Sequence, residues 1–177
     1  MSRILFCIAL CSFFVLFPYL LKANEAKSRY ATLRYSSQEL LTNFNEDIEL
    51  GRNLSAFSRK AKIVNVEDEV LAKIDAIVEK AETILEMFPD QLHMKIVLLA
   101  NSNEVAKVFK EKYGKNVNYL AFYSLSEDTI YISVDDAKLT VLAHEIGHAV
   151  VDHYFKVRPP YNVHELMAQF VEKRIND

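Results

Sequence analysis

The sequence predicts an α+β domain, a small and mainly antiparallel sheet with helices packed on it. Three observations carry this prediction. Apolar residues recur at helical spacing in several long stretches of the chain. Two short runs rich in β-branched and aromatic residues, 119–124 and 129–134, flank a polar turn at Ser126-Glu127-Asp128. The order of elements is helix, strand, helix, hairpin, helix, helix, with no regular strand–helix alternation of the kind that builds a parallel sheet.

Each element has a local reason. Residues 24–35 are polar and are expected to be loose. Ser36 and Glu39 stand at capping-box spacing before Leu40, Leu41, Phe44 and Ile48, which mark a first helix. Glu67, Asp68 and Glu69 suit the first turn of a second helix, whose apolar face is Val70, Ile74, Ile77, Ala81, Ile84 and Phe88 before Pro89. The run 95–100 reads as a buried strand and 102–113 as a helix ended by Gly114. A helix follows over about 137–155, then Pro159-Pro160, then a last helix over about 162–175.

The amino-terminal 23 residues read as a signal peptide: Arg3, an uncharged apolar run from Ile4 to Leu21, and alanines at 23 and 26. The run is also long enough to be a retained membrane anchor, the one route by which a membrane enters this reading. Both cysteines, Cys7 and Cys11, fall in this segment, so an exported mature chain has no disulfide and its metal ligands must be His, Asp or Glu. Removing Arg3 and Lys22 leaves 19 basic against 24 acidic residues, a net charge of −5. No basic patch interleaved with aromatics is present, which argues against nucleic acid as a partner. The expected organisation is a signal over 1–23, a helical segment over 24–65 and a main domain over 66–177.

The most informative stretch is His144-Glu145-Ile146-Gly147-His148. On a helix, residues four apart share a face, so both imidazoles can reach one Zn²⁺. Glu145 then faces the ion's open side, where it can take a proton from a bound water. The flanking Val141, Leu142, Ala149 and Val150 make this a buried helix, and buried His and Glu side chains need partners. A catalytic zinc takes three protein ligands. Glu165, near the start of the last helix, is the expected third, with Ala168 leaving room beside it. Gln169, one turn on, can accept a hydrogen bond from the outer nitrogen of a ligand histidine. Asp152 lies on the face of His144 and His148, but three ligands on one straight helix fit a tetrahedral ion poorly, so it is expected in a supporting or surface place. Tyr161 and His164 are candidates to stabilise an oxyanion or to support the ligands.

This set, His144-Glu145-Ile146-Gly147-His148 with Glu165 on a downstream helix, resembles the gluzincin branch of the zinc-dependent metallopeptidases, the thermolysin-like group. The resemblance covers about residues 66–177. It implies a zincin-like catalytic domain, a Zn²⁺ cofactor, peptide or protein substrates, and an edge strand at 129–134 that aligns an extended peptide. Val151 and Tyr154 stand where the metzincin pattern has its Gly and third His. In the thermolysin pattern an Asp follows the Glu ligand by four; here that place is Gln169. The function so implied is an exported zinc metallopeptidase. A zinc-binding protein without catalysis and a structural or binding domain without metal are the other classes compatible with the sequence. The helix from Leu40 to Ile48 either completes the core or covers the cleft, presenting a carboxylate of Glu46, Asp47 or Glu49 to the metal.

Overall fold

The computed structural model describes residues 23–55 and 63–177; the expected signal segment lies outside them, apart from its last residue. The chain is an α+β domain with five strands in one sheet: β1 (Asn24–Lys27), β2 (Ala31–Tyr35), β3 (Met94–Leu99), β4 (Ala121–Ser124) and β5 (Thr129–Ser133). The strand order is β1-β2-β3-β5-β4. The outer pairs β1–β2 and β4–β5 are antiparallel, while β2–β3 and β3–β5 are parallel. The sheet is therefore mixed rather than mainly antiparallel.

Residues 24–35 are strands, not a loose lead-in. Their polar character fits an edge: β1 has one exposed side and its Glu25 pairs with Arg34 across the hairpin. In β2, Ala31, Leu33 and Tyr35 alternate inward, a five-residue signal too short to stand out against its polar neighbours. The boundary expected near residue 65 is not a domain boundary, because β2 pairs with β3 inside the sheet.

Among the described residues there are five helices: α1 (Gln38–Asp47), α2 (Val66–Leu85), α3 (Ser102–Tyr113) and α4 (Leu139–Tyr154) on the sheet, and α5 (Tyr161–Arg174), which lies on α4 and α2. The cap of α1 is Ser37, which accepts from the Leu40 amide, one residue later than the expected Ser36. Asn65 and Asn101 cap α2 and α3 in the same way. The main core lies between the sheet and α1, α2, α4 and α5. It contains Leu33, Ile96, Ile130 and Ile132 from strands and Ile74, Ile77, Leu142 and Ile146 from helices. Helix α3 covers the other face, where Phe109 and Tyr113 meet Phe122 edge-on and Phe122 stacks on Tyr131.

Leu41 and Phe44 of α1, and Ile48 at its end, are buried in the main core. The first helix therefore completes the core.

Candidate metal centre

Helices α4 and α5 are joined by six residues, 155–160, in which Pro159-Pro160 ends one direction of the chain and sets the start of the next. Their closeness depends on Gly147. A Cβ there would lie 3.0 Å from Ala168 Cα and 3.3 Å from Val171 Cγ2, so only glycine lets the two backbones approach this far. The small Ala168 is fully buried at the same crossing.

That approach carries Glu165 to the two histidines. One carboxylate oxygen lies 3.4 Å from His144 Nε2 and the other 3.6 Å from His148 Nε2. The three side chains offer one donor atom each within 4.8 Å of one another, and among the described residues this is the group arranged to hold a metal ion. Two imidazoles and a carboxylate form a donor set suited to zinc. The side chains are only 14 to 29% exposed, so the group faces a cleft rather than open solvent.

Behind the donor atoms the outer nitrogens are also held. His144 Nδ1 lies 3.0 Å from Glu172 Oε2, and His148 Nδ1 lies 2.8 Å from His164 Nδ1. Each contact fixes which ring nitrogen faces inward. Burial, then the neighbouring His144 and His164, pushes the His148 imidazole down to about 3, and the neutral ring is the form that binds metal. Burial also pushes His164 down. Gln169 does not support a histidine as expected; its amide nitrogen donates to Glu165 Oε1 at 3.2 Å and steers the carboxylate instead.

Glu145 is 8% exposed and lines the same cleft as the three donors. Burial pushes its carboxyl up to about 8; the Tyr123 amide opposes this, and the charges of Glu165 and Glu172 add to it. A cation at the centre would draw it back down. The cleft, of about 760 Å³, runs from α4 and α5 across β4 to the aromatic wall of α3. None of its lining residues comes from 23–55, so α1 presents no carboxylate to the centre.

The strand beside the centre is β4. The expected edge strand, 129–134, is β5, which lies inside the sheet between β3 and β4. The sequence misled here because both halves of a hairpin look alike, and only the pairing of β5 with β3 shows which half is covered. Ser133 donates to the Leu120 carbonyl at 2.8 Å, which sets the alternation along the hairpin. Phe122 bonds toward β5, and the backbone groups of Ala121 and Tyr123 point to the free edge. Of these, the Tyr123 amide faces Glu145.

The remaining candidates are placed clearly. Asp152 is not a ligand; it holds Arg158 at 2.6 Å and accepts from the Tyr123 hydroxyl at 3.3 Å. Tyr161, 77% exposed, stands at the cleft rim, where the Glu165 charge raises its pKa. His164 is 4% exposed with Nδ1 turned to His148, so it holds that imidazole in place. Sequence reasoning missed Glu172 and Tyr123. Glu172 had a signal, since Glu165, Gln169 and Glu172 follow an i, i+4, i+7 stripe on one helix face. Tyr123 had none, because its part depends on the pairing of β4. No protein-family model, curated protein or solved structure matches this chain.

Proposed function

We propose that this protein is an exported, zinc-dependent metallopeptidase. The observation that supports it is the convergence of His144, His148 and Glu165 from two helices beside a buried Glu145 and an open strand edge. His144, His148 and Glu165 would hold the ion, and Glu172, His164 and Gln169 keep those three in place. Zinc, when bound, supplies a Lewis acid that polarises a carbonyl and makes water nucleophilic near neutral pH. Glu145 takes the proton released in the attack and passes it to the leaving amine.

The substrate is a peptide that adds a strand to β4. Ala121 offers an amide and a carbonyl to it, and Tyr123 offers its carbonyl. The Tyr123 amide faces Glu145, so the substrate residue opposite Tyr123 has a carbonyl that the strand does not pair, and that carbonyl turns to the metal side. Backbone pairing of this kind is indifferent to substrate sequence. Tyr161, on the rim, supplies a phenol hydroxyl to a developing oxyanion. Export rests on the apolar run Ile4 to Leu21 and the alanines after it.

The test joins metal content to turnover. His144→Ala, His148→Ala and Glu165→Ala each lose most bound zinc after dialysis, whereas Glu145→Gln keeps it and loses about 10²–10⁴-fold in hydrolysis of unfolded casein or a peptide library. A wild-type protein with stoichiometric zinc and no cleavage would reduce the reading to a zinc-binding protein. Undiminished turnover in Glu145→Gln would remove Glu145 from the mechanism.

A further inference from the structure

His153 lies in the last turn of α4 and is not part of the donor set. Each of its ring nitrogens meets an acceptor. Nε2 lies 3.0 Å from Asp128 Oδ1, in the β4–β5 turn, and Nδ1 lies 3.2 Å from the Gln91 carbonyl, in the segment between α2 and β3. An ionised carboxylate and a carbonyl only accept, and a neutral imidazole carries a single N–H. Both contacts are hydrogen bonds only when the ring is an imidazolium. One cation therefore joins the end of the metal-bearing helix, the hairpin turn and the approach to β3. The turn passes this on: Asp128, at a φ of 51°, accepts from the Lys95 amide of β3 through its carbonyl at 2.9 Å.

The surrounding charges favour the imidazolium. Asp152, next to His153 on α4, binds Arg158 at 2.6 and 2.8 Å and takes the Tyr123 hydroxyl of β4 at 3.3 Å. The same hydroxyl donates to Asp128 Oδ1 at 2.8 Å, and the Lys95 charge acts on Asp128 from β3. The bond to Asp128 is the main influence that raises His153 above its ordinary value; burial opposes it, and the Asp128 charge, the Gln91 carbonyl and Asp152 add to the rise. Burial works to raise Asp128 in turn, but the bonds from His153 and Tyr123 outweigh it and hold that carboxyl low.

We propose that His153 is a charge-dependent latch that fastens the β4–β5 hairpin to the last turn of α4, and that the latch opens when the imidazolium loses its proton. With one N–H left, the ring can serve Asp128 or Gln91 but not both. His153 is more basic in the folded chain than in the unfolded one, so the latch contributes its full stability below 6.5, and that contribution is lost as the pH rises through the higher folded value. The inference needs neither a metal nor catalysis. Under the metallopeptidase reading it adds one thing: the strand that pairs with substrate is fixed to the metal-bearing helix at lower pH and loosened from it at higher pH.

The test follows one ring and one amide. In an NMR titration of the wild-type protein the His153 ring titrates above 6.5, and Asp128→Asn, which keeps a residue at ease with positive φ, shifts that midpoint down. A wild-type midpoint at or below 6.5 overturns the proposal. The Tm of wild type exceeds that of His153→Gln at about pH 5.5, and the gap closes by about pH 8.5, the other histidines being common to both proteins. A gap of equal size at both pH values would show a ring that only fills space, and overturns the proposal as well. The Lys95 amide reports the turn itself. Its protection against hydrogen exchange falls in wild type as His153 loses its proton, and in His153→Gln it is low at both pH values. Protection in wild type that does not change across the titration overturns the latch. If His153→Gln does not fold, the wild-type titration and the Lys95 protection decide the matter without it.

Discussion

Glu172 shows how a single side chain outside the donor set controls it. Its carboxylate holds His144 Nδ1 at 3.0 Å, and with that nitrogen engaged the ring can only present Nε2 to the centre. Replacing such a partner costs about 10–100-fold in metal affinity. Glu172→Ala is therefore expected to weaken zinc binding by that factor in a competition titration with a chromophoric chelator, with little loss of thermal stability in the metal-free protein, because the Glu172 side chain is 42% exposed. Glu172→Gln keeps an oxygen acceptor and falls between. Equal zinc affinity in all three proteins would show that Glu172 does not orient His144. At this scale the sequence is legible where spacing within a helix decides the geometry, as for His144 and His148, whose nearness follows from four residues of one helix, whereas Glu165 joins them from the next helix. It was read poorly where a partner is reached across space, as for His148 with His164, sixteen residues apart.

Among elements, the crossing of α4 and α5 sets the centre. Gly147 sits inside the motif but contributes space rather than chemistry, and a methyl there meets Ala168 backbone at 3.0 Å, which cannot rotate away. Gly147→Ala must push the helices apart, a strain of about 1–3 kcal/mol by analogy with overpacked cores, partly offset by the better helix propensity of alanine. The expected outcome is a lower Tm together with weaker zinc binding, since the shift falls on the helix that carries Glu165. A Gly147→Ala protein with unchanged zinc affinity would mean that α5 adjusts without moving Glu165. The extents of α2 and α4 follow the apolar spacing because each buries a wide stripe, whereas α3 buries only Val105 and is marked instead by its Asn101 cap and Gly114. The sheet was harder to read. Neither the two strands at 24–35 nor the covered position of β5 could be found from local pattern, as both depend on β3 lying between β2 and β5.

For the molecule as a whole, the amino-terminal segment is part of the framework that carries the site. Residues 24–35 supply two strands, and Leu41, Phe44 and Ile48 fill the core against α2. A protein of residues 62–177 would lose these side chains and leave β3 with a bare edge. It is expected to aggregate or to remain unfolded by circular dichroism, while residues 24–177 fold cooperatively. A shorter protein that folds, binds zinc and cleaves faster would instead assign the segment an inhibitory part. The start of the supporting sheet is not legible in the motif, which shows where the chemistry is concentrated, while β2 joins β3 from well outside it.

The open margin of β4 has a further consequence, for solubility. Unpaired strand edges invite a second copy of the same protein, and chains commonly blunt them with short length or an inward-facing charge. Here β4 is four residues long, and the Glu145 carboxyl lines the cleft beside its margin. The side chain assigned to chemistry therefore also breaks the ladder on which two molecules could zip together. Variants that remove this carboxyl are expected to be more prone to self-association than their folded stability alone would suggest, and light scattering on Glu145→Ala beside Glu145→Gln would measure how far the margin depends on it.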